Sequence, residues 1–303
     1  MEDQDMPYNS DYTPTETGLF TIDFSEYVKI KALNSTYIKF LSRSPLHFKT
    51  EVESPTKATP AMNVGSGFHY AVLEPDRYDQ EVVALPEMSV ERPGKKWNKN
   101  SKEHKAWAAA NRNKTILKQK DIQNIKAMVK KIGASQAASR LIANGWAEKT
   151  VLWKDPEFGF WCKARIDFFP EIEPGAIVDL KKTADASQWG FQKSIRNYRY
   201  NWQAYWYLTG ATEATGLQHK DFYWIAWEDQ PPHEGNVFKA DPAEIDRAEE
   251  YIYPLRRKYA ECLEKDEWLG YPDQVIELGF DYDRLNSTPF TGNVSKKEDE
   301  QWI

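Results

Sequence analysis

Apolar and polar residues alternate along the middle of the chain, whereas apolar residues on either side of this region recur at every third or fourth position. From residue 147 to residue 180 the period is two, which predicts three strands, near residues 148–153, 160–168 and 176–180. The helical period before this region predicts two helices between residues 114 and 143. The pattern therefore predicts a sheet that begins after a helical segment.

Helix-start signals and helical spacing predict further helices on both sides of the sheet. Ser44 and Pro45 suit the N-cap and first position of one helix. Residues 60–74 predict a second helix, in which Gly65 lies one turn before His69 and permits close packing. Later segments predict, in order, a long amphipathic helix, a strand and a charged helix over residues 188–209, 221–228 and 242–268. This order is typical of one mixed α/β domain with helices covering a sheet.

Length and composition fit one folded domain with polar ends. The chain has 303 residues, of which 41% are apolar and 14% aromatic, enough to bury a substantial core. Residues 1–20 and 286–303 are polar, which predicts flexible tails around a single domain over residues 21–285. Apolar runs are short and the N-terminus is acidic, so we expect no membrane span or signal peptide and predict a cytoplasmic protein.

A local excess of positive charge is hidden by the net charge of −6. Residues 92–114, here called the basic insertion, contain eight Lys or Arg residues and one acidic residue, Glu103. Basic side chains beside aromatic ones can neutralise phosphates and stack on bases. A solvated loop that leads into an exposed helix explains the same pattern equally well. The candidate DNA-binding residues of the basic insertion are Lys95, Lys96, Trp97, Lys99, Lys102 and Lys105.

Two acidic residues and a lysine stand out in the predicted strands. Asp167 lies near the end of one strand, and Asp179 and Lys181 share a face of the next, so a hairpin can bring all three together. Paired carboxylates can bind the Mg²⁺ that neutralises the transition state of phosphodiester hydrolysis, and a nearby lysine can orient or deprotonate the attacking water. An ordinary exposed hairpin with a cross-strand ion pair gives the same pattern. A glycosidase would use the two carboxylates but leaves the lysine unexplained.

Several motifs in order make the chain resemble a known family. They are Ser42-Arg-Ser-Pro45, Gly65-Ser-Gly-Phe-His69, Cys162-Lys-Ala-Arg-Ile-Asp167, Ile177-Val-Asp-Leu-Lys-Lys-Thr183 and Gln203-x-x-x-Tyr207, with Glu148 opening the first strand. From about residue 42 to residue 227, the chain resembles the PD-(D/E)XK nuclease superfamily, and within it the RecE-like phage and prophage exonucleases of the exonuclease VIII type. The resemblance implies an α/β, restriction-endonuclease-like core with a central mixed sheet flanked by helices.

The resemblance also implies roles for individual residues. The metal ligands would be His69, Glu148, Asp167, Asp179 and the backbone carbonyl of Leu180. The catalytic residues would be Asp167, Asp179, Lys181, Gln203 and Tyr207, the last two positioning Lys181 or the substrate phosphate. Arg43 and Arg165 would bind backbone phosphates. The structural alternatives are a buried His69 bonded to a carbonyl, an exposed Glu148, and a helix edge at Gln203 and Tyr207.

The activity implied is hydrolysis of linear double-stranded DNA from its 5′ ends, using two Mg²⁺ ions for which Mn²⁺ could substitute. The 3′ single strands would serve an annealing recombinase in phage-type homologous recombination inside a bacterial host cell. A ring-shaped homo-oligomer follows from the same resemblance. The alternatives are a structure-specific endonuclease of the same fold and a catalytically silent DNA-binding or assembly module. Cys162 and Cys262 lie far apart, which argues against zinc and iron–sulfur sites.

Overall fold

The computed structural model describes residues 6–277, and its centre is a mixed sheet of six strands. The chain divides into two units, Met1–Gly270 and Tyr271–Ile303. Of the second unit only residues 271–277 are described, and they contain no helix or strand. The strands are β1 (Gly18–Phe20), β2 (Val82–Ala84), β3 (Thr115–Leu117), β4 (Gly145–Lys154), β5 (Trp161–Pro170), β6 (Ala176–Thr183), β7 (Asp221–Glu228) and β8 (Gly235–Lys239).

The six strands lie in the order β1-β4-β5-β6-β7-β8, and β2 and β3 form a separate parallel pair. Neighbouring strands of the large sheet are antiparallel except β6 and β7, which are parallel. Parallel strands need a crossover, which here consists of two helices. The mixed sheet of the expected α/β class is therefore confirmed.

Eleven helices accompany the strands within the described residues. They are α1 (Phe24–Tyr27), α2 (Ser35–Leu41), α3 (Pro45–Glu53), α4 (Pro60–Leu73), α5 (Pro75–Glu81), α6 (Lys102–Ala110), α7 (Gln119–Ala134), α8 (Gln136–Ile142), α9 (Gln188–Tyr198), α10 (Tyr200–Thr215) and α11 (Pro242–Lys265). None of these described helices is long and apolar enough to cross a lipid bilayer.

The sheet buries both of its faces under helices. On one face, Ile177 of β6 packs in a cluster with Ile38 of α2 and Trp206 of α10. On the other face, Val178 of β6 packs in a cluster with Phe68 of α4. Successive β6 side chains thus alternate between two cores, as the period of two predicts. The middle of the sheet, where β5 and β6 are neighbours, is consequently reached by α4 from one side and by α10 from the other.

A close approach of α4 to β3 depends on Gly67. A Cβ atom at Gly67 would lie 2.6 Å from Leu117 Cδ1, whereas a Cβ at Gly65 would meet nothing within 4 Å. The expectation that Gly65 permits close packing is therefore wrong, and Gly67 is the residue that does so. This matters because His69 is carried on the same helix, two residues later.

The predicted long helix over residues 188–209 is in fact two helices. Arg199, between α9 and α10, has φ 57° and ψ 46°, the left-handed conformation that ends the first helix. Neither glycine nor proline marks this break, and the apolar spacing continues across it. The sequence therefore predicted one helix. The strand predicted over residues 221–228 coincides with β7, and the short strands β1, β2, β3 and β8 were not predicted.

The N-terminal segment is part of the fold where the structure describes it. Strand β1 pairs with β4, and Tyr8 is buried. Lys163 of β5 is 1% exposed, and its Nζ donates hydrogen bonds to the carbonyls of Tyr27 (2.9 Å) and Ile30 (2.7 Å). Backbone pairing and burial thus attach part of residues 6–20 to the sheet, and the flexible tail over residues 1–20 stays a prediction. The tail predicted over residues 286–303 lies outside the described residues.

Candidate active site

The face of β6 that carries Asp179 and Lys181 points towards α10. Asp179 is 0% exposed, and its Oδ2 lies 2.5 Å from Nζ of Lys181, whose side chain is 13% exposed. From α10, Gln203 Nε2 donates to Asp179 Oδ1 at 3.1 Å and to the hydroxyl of Tyr207 at 2.9 Å. The alternation that placed Asp179 and Lys181 together is correct. Helix α10 covers this charged face at Asp179.

A second group of polar side chains, from α4, β4 and β5, meets beside the same central strands. His69 Nδ1 lies 3.3 Å from Glu148 Oε1 and 3.7 Å from Asp167 Oδ2, and its Nε2 lies 3.1 Å from the carbonyl oxygen of Leu180. Asp167 Oδ2 also accepts a hydrogen bond of 2.8 Å from the backbone N–H of Leu180. The structure thus brings together four of the predicted metal ligands, His69, Glu148, Asp167 and Leu180, and the fifth, Asp179, lies close enough for its charge to raise the pKa of Asp167.

Glu148 reaches this group through an unusual backbone conformation. The register of β4 and β5 places it opposite Asp167, yet its φ is 50°, which is rare for a residue with a side chain. Arg165 holds the carboxylate from the other side, with Nε donating to Glu148 Oε2 at 2.7 Å and Nη1 donating to the carbonyl of Ile22 at 2.6 Å. Strained backbone of this kind persists where the surrounding structure fixes it.

The role expected for Arg165 changes as a result. It was predicted to bind a backbone phosphate of DNA, but its guanidinium is directed into the protein and is engaged by Glu148 and Ile22. Glu148 is in turn half-buried rather than a free surface glutamate. Arg165 therefore orients a candidate metal ligand.

Burial and negative charge at this site shift the pKa values of the neighbouring groups. Burial lowers the pKa of His69, but the charges of Asp167 and Glu148 outweigh burial and raise it to about 9. Burial, opposed by His69 and supported by Asp179, raises the pKa of Asp167 to about 7. Burial also disfavours the charged form of Lys181, yet Asp179 raises its pKa above the ordinary value. His69 and Lys181 are thus both protonated at neutral pH, each beside a carboxylate.

These features fit a divalent cation. One ligand atom each of His69, Glu148 and Asp167 lies within 4.8 Å of the others. Asp179 Oδ2 is buried and, apart from its ion contact with Lys181, has no hydrogen-bond partner among residues 6–277. Carboxylate and carbonyl oxygens are the ligands that Mg²⁺ prefers, and a bound cation would replace the proton that His69 carries beside Glu148 and Asp167. The donor set therefore suits a hard cation such as Mg²⁺ or Mn²⁺.

The basic insertion forms a small folded substructure of its own between β2 and β3. Glu103, its one acid, accepts hydrogen bonds from Ser89 Oγ (2.5 Å) and from the backbone N–H of Val90 (2.6 Å). Trp97 is half-buried, because its Nε1 donates to His104 Nδ1 at 3.0 Å and its ring packs on Trp107. In contrast, five candidate DNA-binding residues are exposed, and no ion pair to them occurs within residues 6–277: Lys95, Lys96, Lys99, Lys102 and Lys105.

Arg43 is also exposed, at the end of α2. No hydrogen bond or ion pair in the described part of the chain joins Arg43 or the basic insertion to the carboxylates of the site. Their assignment to DNA binding stays a prediction. The excess of positive charge on which the prediction for the basic insertion rests lies on the surface of the folded protein.

Three residues beside the site were missed by the sequence analysis. Lys39 of α2 lies close enough to Lys181 and Arg199 for their charges to add to burial, and together these lower its pKa to about 8. The ring of Tyr200 lies 4.9 Å from Lys181 Nζ. Lys39 and Tyr200 belong to helices whose apolar spacing describes only their buried sides, and Arg199 occupies a break without a glycine, so no sequence signal was available.

Comparisons with known proteins agree with this geometry. A family model described as a PDDEXK-like domain of unknown function (DUF3799) matches residues 34–275. No curated protein matches the chain significantly. Among solved structures, the chain is similar to a candidate exonuclease from Eubacterium rectale, with a TM-score of 0.59 and 13% sequence identity over 89% of this chain and 99% of that chain. At this identity, the likeness concerns the fold.

Proposed function

Since the chain belongs to the family of PDDEXK-like domains described as DUF3799, we propose that it is a metal-dependent nuclease that hydrolyses DNA from its ends. The observation that carries the proposal is the buried contact between Asp179 and Lys181, with Asp167, Glu148 and His69 nearby at the centre of the sheet. A buried cluster of carboxylates lowers stability because like charges repel, so its presence points to a functional site. The description of the structural neighbour as an exonuclease supports the choice of DNA ends as the substrate.

The cation would be held by Asp167, Asp179, the carbonyl of Leu180, Glu148 and His69. When bound, Mg²⁺ or Mn²⁺ supplies Lewis-acid activation and neutralises charge that develops on the phosphate. A second ion at the His69 side belongs to the same proposal. Coordination requires neutral His69, so binding of the ion is expected to release the proton that His69 carries in the metal-free protein.

Lys181 acts on the reacting groups directly. Because Asp179 raises the pKa of Lys181, its ammonium group is charged at neutral pH and serves to orient the attacking water and to stabilise the pentavalent phosphate. The water oxygen forms a bond to phosphorus, the bond to the 3′ oxygen breaks, and the water proton passes to solvent or the leaving oxygen. Gln203 fixes Asp179 from α10 and thereby fixes Lys181 as well.

Finer aspects of the function follow the family resemblance and are part of the proposal. They are digestion in the 5′→3′ direction, production of 3′ single strands for an annealing recombinase, assembly into a ring of identical subunits, and action in the bacterial cytoplasm. A negatively charged protein can bind DNA if its positive charge is concentrated, and the exposed lysines of the basic insertion meet this condition.

End-labelled DNA tests the proposal. Linear duplex labelled at the 5′ or the 3′ end, and a closed circle, are incubated with the protein in Mg²⁺ or in EDTA. We expect Mg²⁺-dependent release of the 5′ label from the linear DNA, with the circle intact and no release by Asp179→Asn. The matched control is Asp229→Asn, which removes a carboxylate paired with Lys182 at 2.7 Å and should leave the rate unchanged. Nicking of the circle would indicate an endonuclease, and inertness of every DNA would indicate a binding or assembly protein.

A further inference from the structure

Two further cations, Lys39 and Arg199, lie beside the Asp179–Lys181 pair. Lys39 is half-buried, and its pKa is lowered to about 8 by burial and by the charge of Lys181, with Asp179 opposing and Arg199 adding to the shift. Within residues 6–277, the side chains of Lys39 and Arg199 form no ion pair with a carboxylate. Asp179 neutralises Lys181, but Lys39 and Arg199 have no carboxylate of their own among the described residues, so an anion that binds between these two side chains would be stabilised by both. A phosphate of the DNA backbone has the charge and the donor requirements that this cluster offers.

Two stacked tyrosines lead from the same place to the surface. The Tyr200 ring lies 4.9 Å from Lys181 Nζ, and the Tyr198 ring stacks on Tyr200 at 5.5 Å with an interplanar angle of 26°. Tyr198 is 59% exposed. Tyr200 is half-buried, and its stack with Tyr198 extends an aromatic surface from Lys181 to solvent. Exposed aromatic faces next to phosphate-binding cations are the usual platforms for nucleobases.

The backbone conformation of Arg199 joins these two features. Its φ of 57° breaks the crossover into α9 and α10 and sets Tyr198 and Tyr200 on either side of the break. A left-handed conformation costs a residue with a side chain stability that glycine would not lose. The Arg199 guanidinium lies 5.0 Å above the ring of Trp202, so the side chain is held in place. An arginine in this position is therefore explained better by its charge than by the needs of the fold.

We propose that Lys39, Arg199 and the Tyr198–Tyr200 pair form a subsite for the nucleotide next to the scissile phosphate. Lys39 and Arg199 bind the phosphate of that nucleotide, and Tyr198 stacks on its base. The Tyr198 ring offers a platform for one base rather than for a base pair, so the subsite accepts an unpaired nucleotide at the DNA end. The inference rests on the proposed nuclease function and specifies how its substrate is held.

Fluorescence of 2-aminopurine tests the stacking directly. The base analogue is placed at each of the first three positions of one DNA strand, and binding is measured in an Asp167→Asn background with Mg²⁺, so that DNA stays intact. We expect quenching at one position, loss of that quenching with Tyr198→Ala, and its retention with Tyr198→Phe. The matched control is Tyr251→Ala, since Tyr251 is 53% exposed and stacks on Trp202 at 6.2 Å on another helix.

Kinetics and stability test the cations. We expect Lys39→Met and Arg199→Gly each to raise KM for DNA about tenfold with kcat within twofold, whereas Arg196→Ala on α9 changes neither. Because glycine relieves the left-handed strain, Arg199→Gly should also melt at a higher temperature than the unaltered protein, which excludes misfolding as the cause of weaker binding.

Three results would overturn the inference: equal quenching with Tyr198→Ala, equal losses with Arg196→Ala and Arg199→Gly, or an unchanged KM with Lys39→Met. A protein that cleaves no DNA would overturn the nuclease proposal instead, and quenching would then decide the nucleotide subsite by itself. The two failures are therefore distinguishable.

Discussion

Replacement of Asp167 by asparagine should make the metal-free protein more stable and inactive at the same time. Asp167 is buried, and its pKa is raised to about 7 because burial and Asp179 disfavour its charge. Asparagine keeps an oxygen that can accept the hydrogen bond from the backbone N–H of Leu180, so the local structure can survive. The substitution removes charge and little else.

The magnitude follows from the raised pKa. A carboxyl group whose pKa rises from 3.8 to about 7 on folding destabilises the ionised folded state by about 4 kcal/mol, at 1.36 kcal/mol for each pKa unit. Part of this gain is lost because His69, 3.7 Å away, no longer has the Asp167 charge beside it. We therefore expect Asp167→Asn to raise the free energy of unfolding by about 2 kcal/mol at pH 8.

The sign of the pH dependence is fixed by the direction of the shift. Well below pH 3.8 the carboxyl group is protonated in both states, so ionisation contributes nothing. As the pH rises towards 7, only the unfolded state ionises readily, and the unaltered protein loses stability relative to Asp167→Asn. The advantage of the variant should therefore be larger at pH 8 than at pH 5.

Urea unfolding in EDTA at both pH values measures this effect. The same experiment in Mg²⁺ measures how far a bound cation offsets the repulsion between the carboxylates. Mg²⁺ should stabilise the unaltered protein and leave Asp167→Asn unchanged, and the variant should release no label from linear DNA. Lower stability of the variant in EDTA at pH 8 would refute the reasoning, because it would mean that the carboxylate stabilises the fold without a cation.

Three further changes test other parts of the structure. Lys181→Met should abolish cleavage and lower the free energy of unfolding by about 3 kcal/mol in EDTA, because it leaves the Asp179 carboxylate buried without its cation; urea unfolding at neutral pH would reveal an error if stability were unchanged. Gly65→Ala should raise the melting temperature, since its Cβ meets nothing, whereas Gly67→Ala should lower it because its Cβ would collide with the Leu117 side chain; equal shifts would contradict the packing described. Replacing three exposed lysines of the basic insertion by glutamine should reduce the slope of log Kd against log salt by about 3 in duplex binding, if each contacts one phosphate, and an unchanged slope would exclude them from the interface: Lys95, Lys96 and Lys99.

Regular periodicity explains what the sequence predicted well. Strands β4, β5, β6 and β7 were predicted because their side chains alternate, and alternation on β6 also places Asp179 and Lys181 on one face. Helical spacing likewise found α7, α8 and α11. The ligand group around His69 required the family resemblance, because four separate elements contribute to it and periodicity carries no information on how they meet.

The remaining features depend on single backbone conformations and on tertiary contacts. Glu148 and Arg199 adopt positive φ angles without being glycine, so nothing in the sequence marks either position. Arg165 was assigned to DNA along with the family resemblance, and its partners, Glu148 and Ile22, are identified only when the N-terminal segment folds onto β5. Short edge strands such as β1 carry too few residues for a period to be recognised.

The hold of Lys163 on the N-terminal segment has a practical consequence for anyone who expresses a shortened form of the protein. The family match begins at residue 34, which makes that residue a natural place to start a fragment. Such a fragment would lack the carbonyls of Tyr27 and Ile30, to which Lys163 donates its hydrogen bonds on the strand that carries Asp167. It would also lack the carbonyl of Ile22 that binds Arg165. A fragment chosen by homology alone would retain every catalytic side chain, yet its inactivity would be an artefact of trimming.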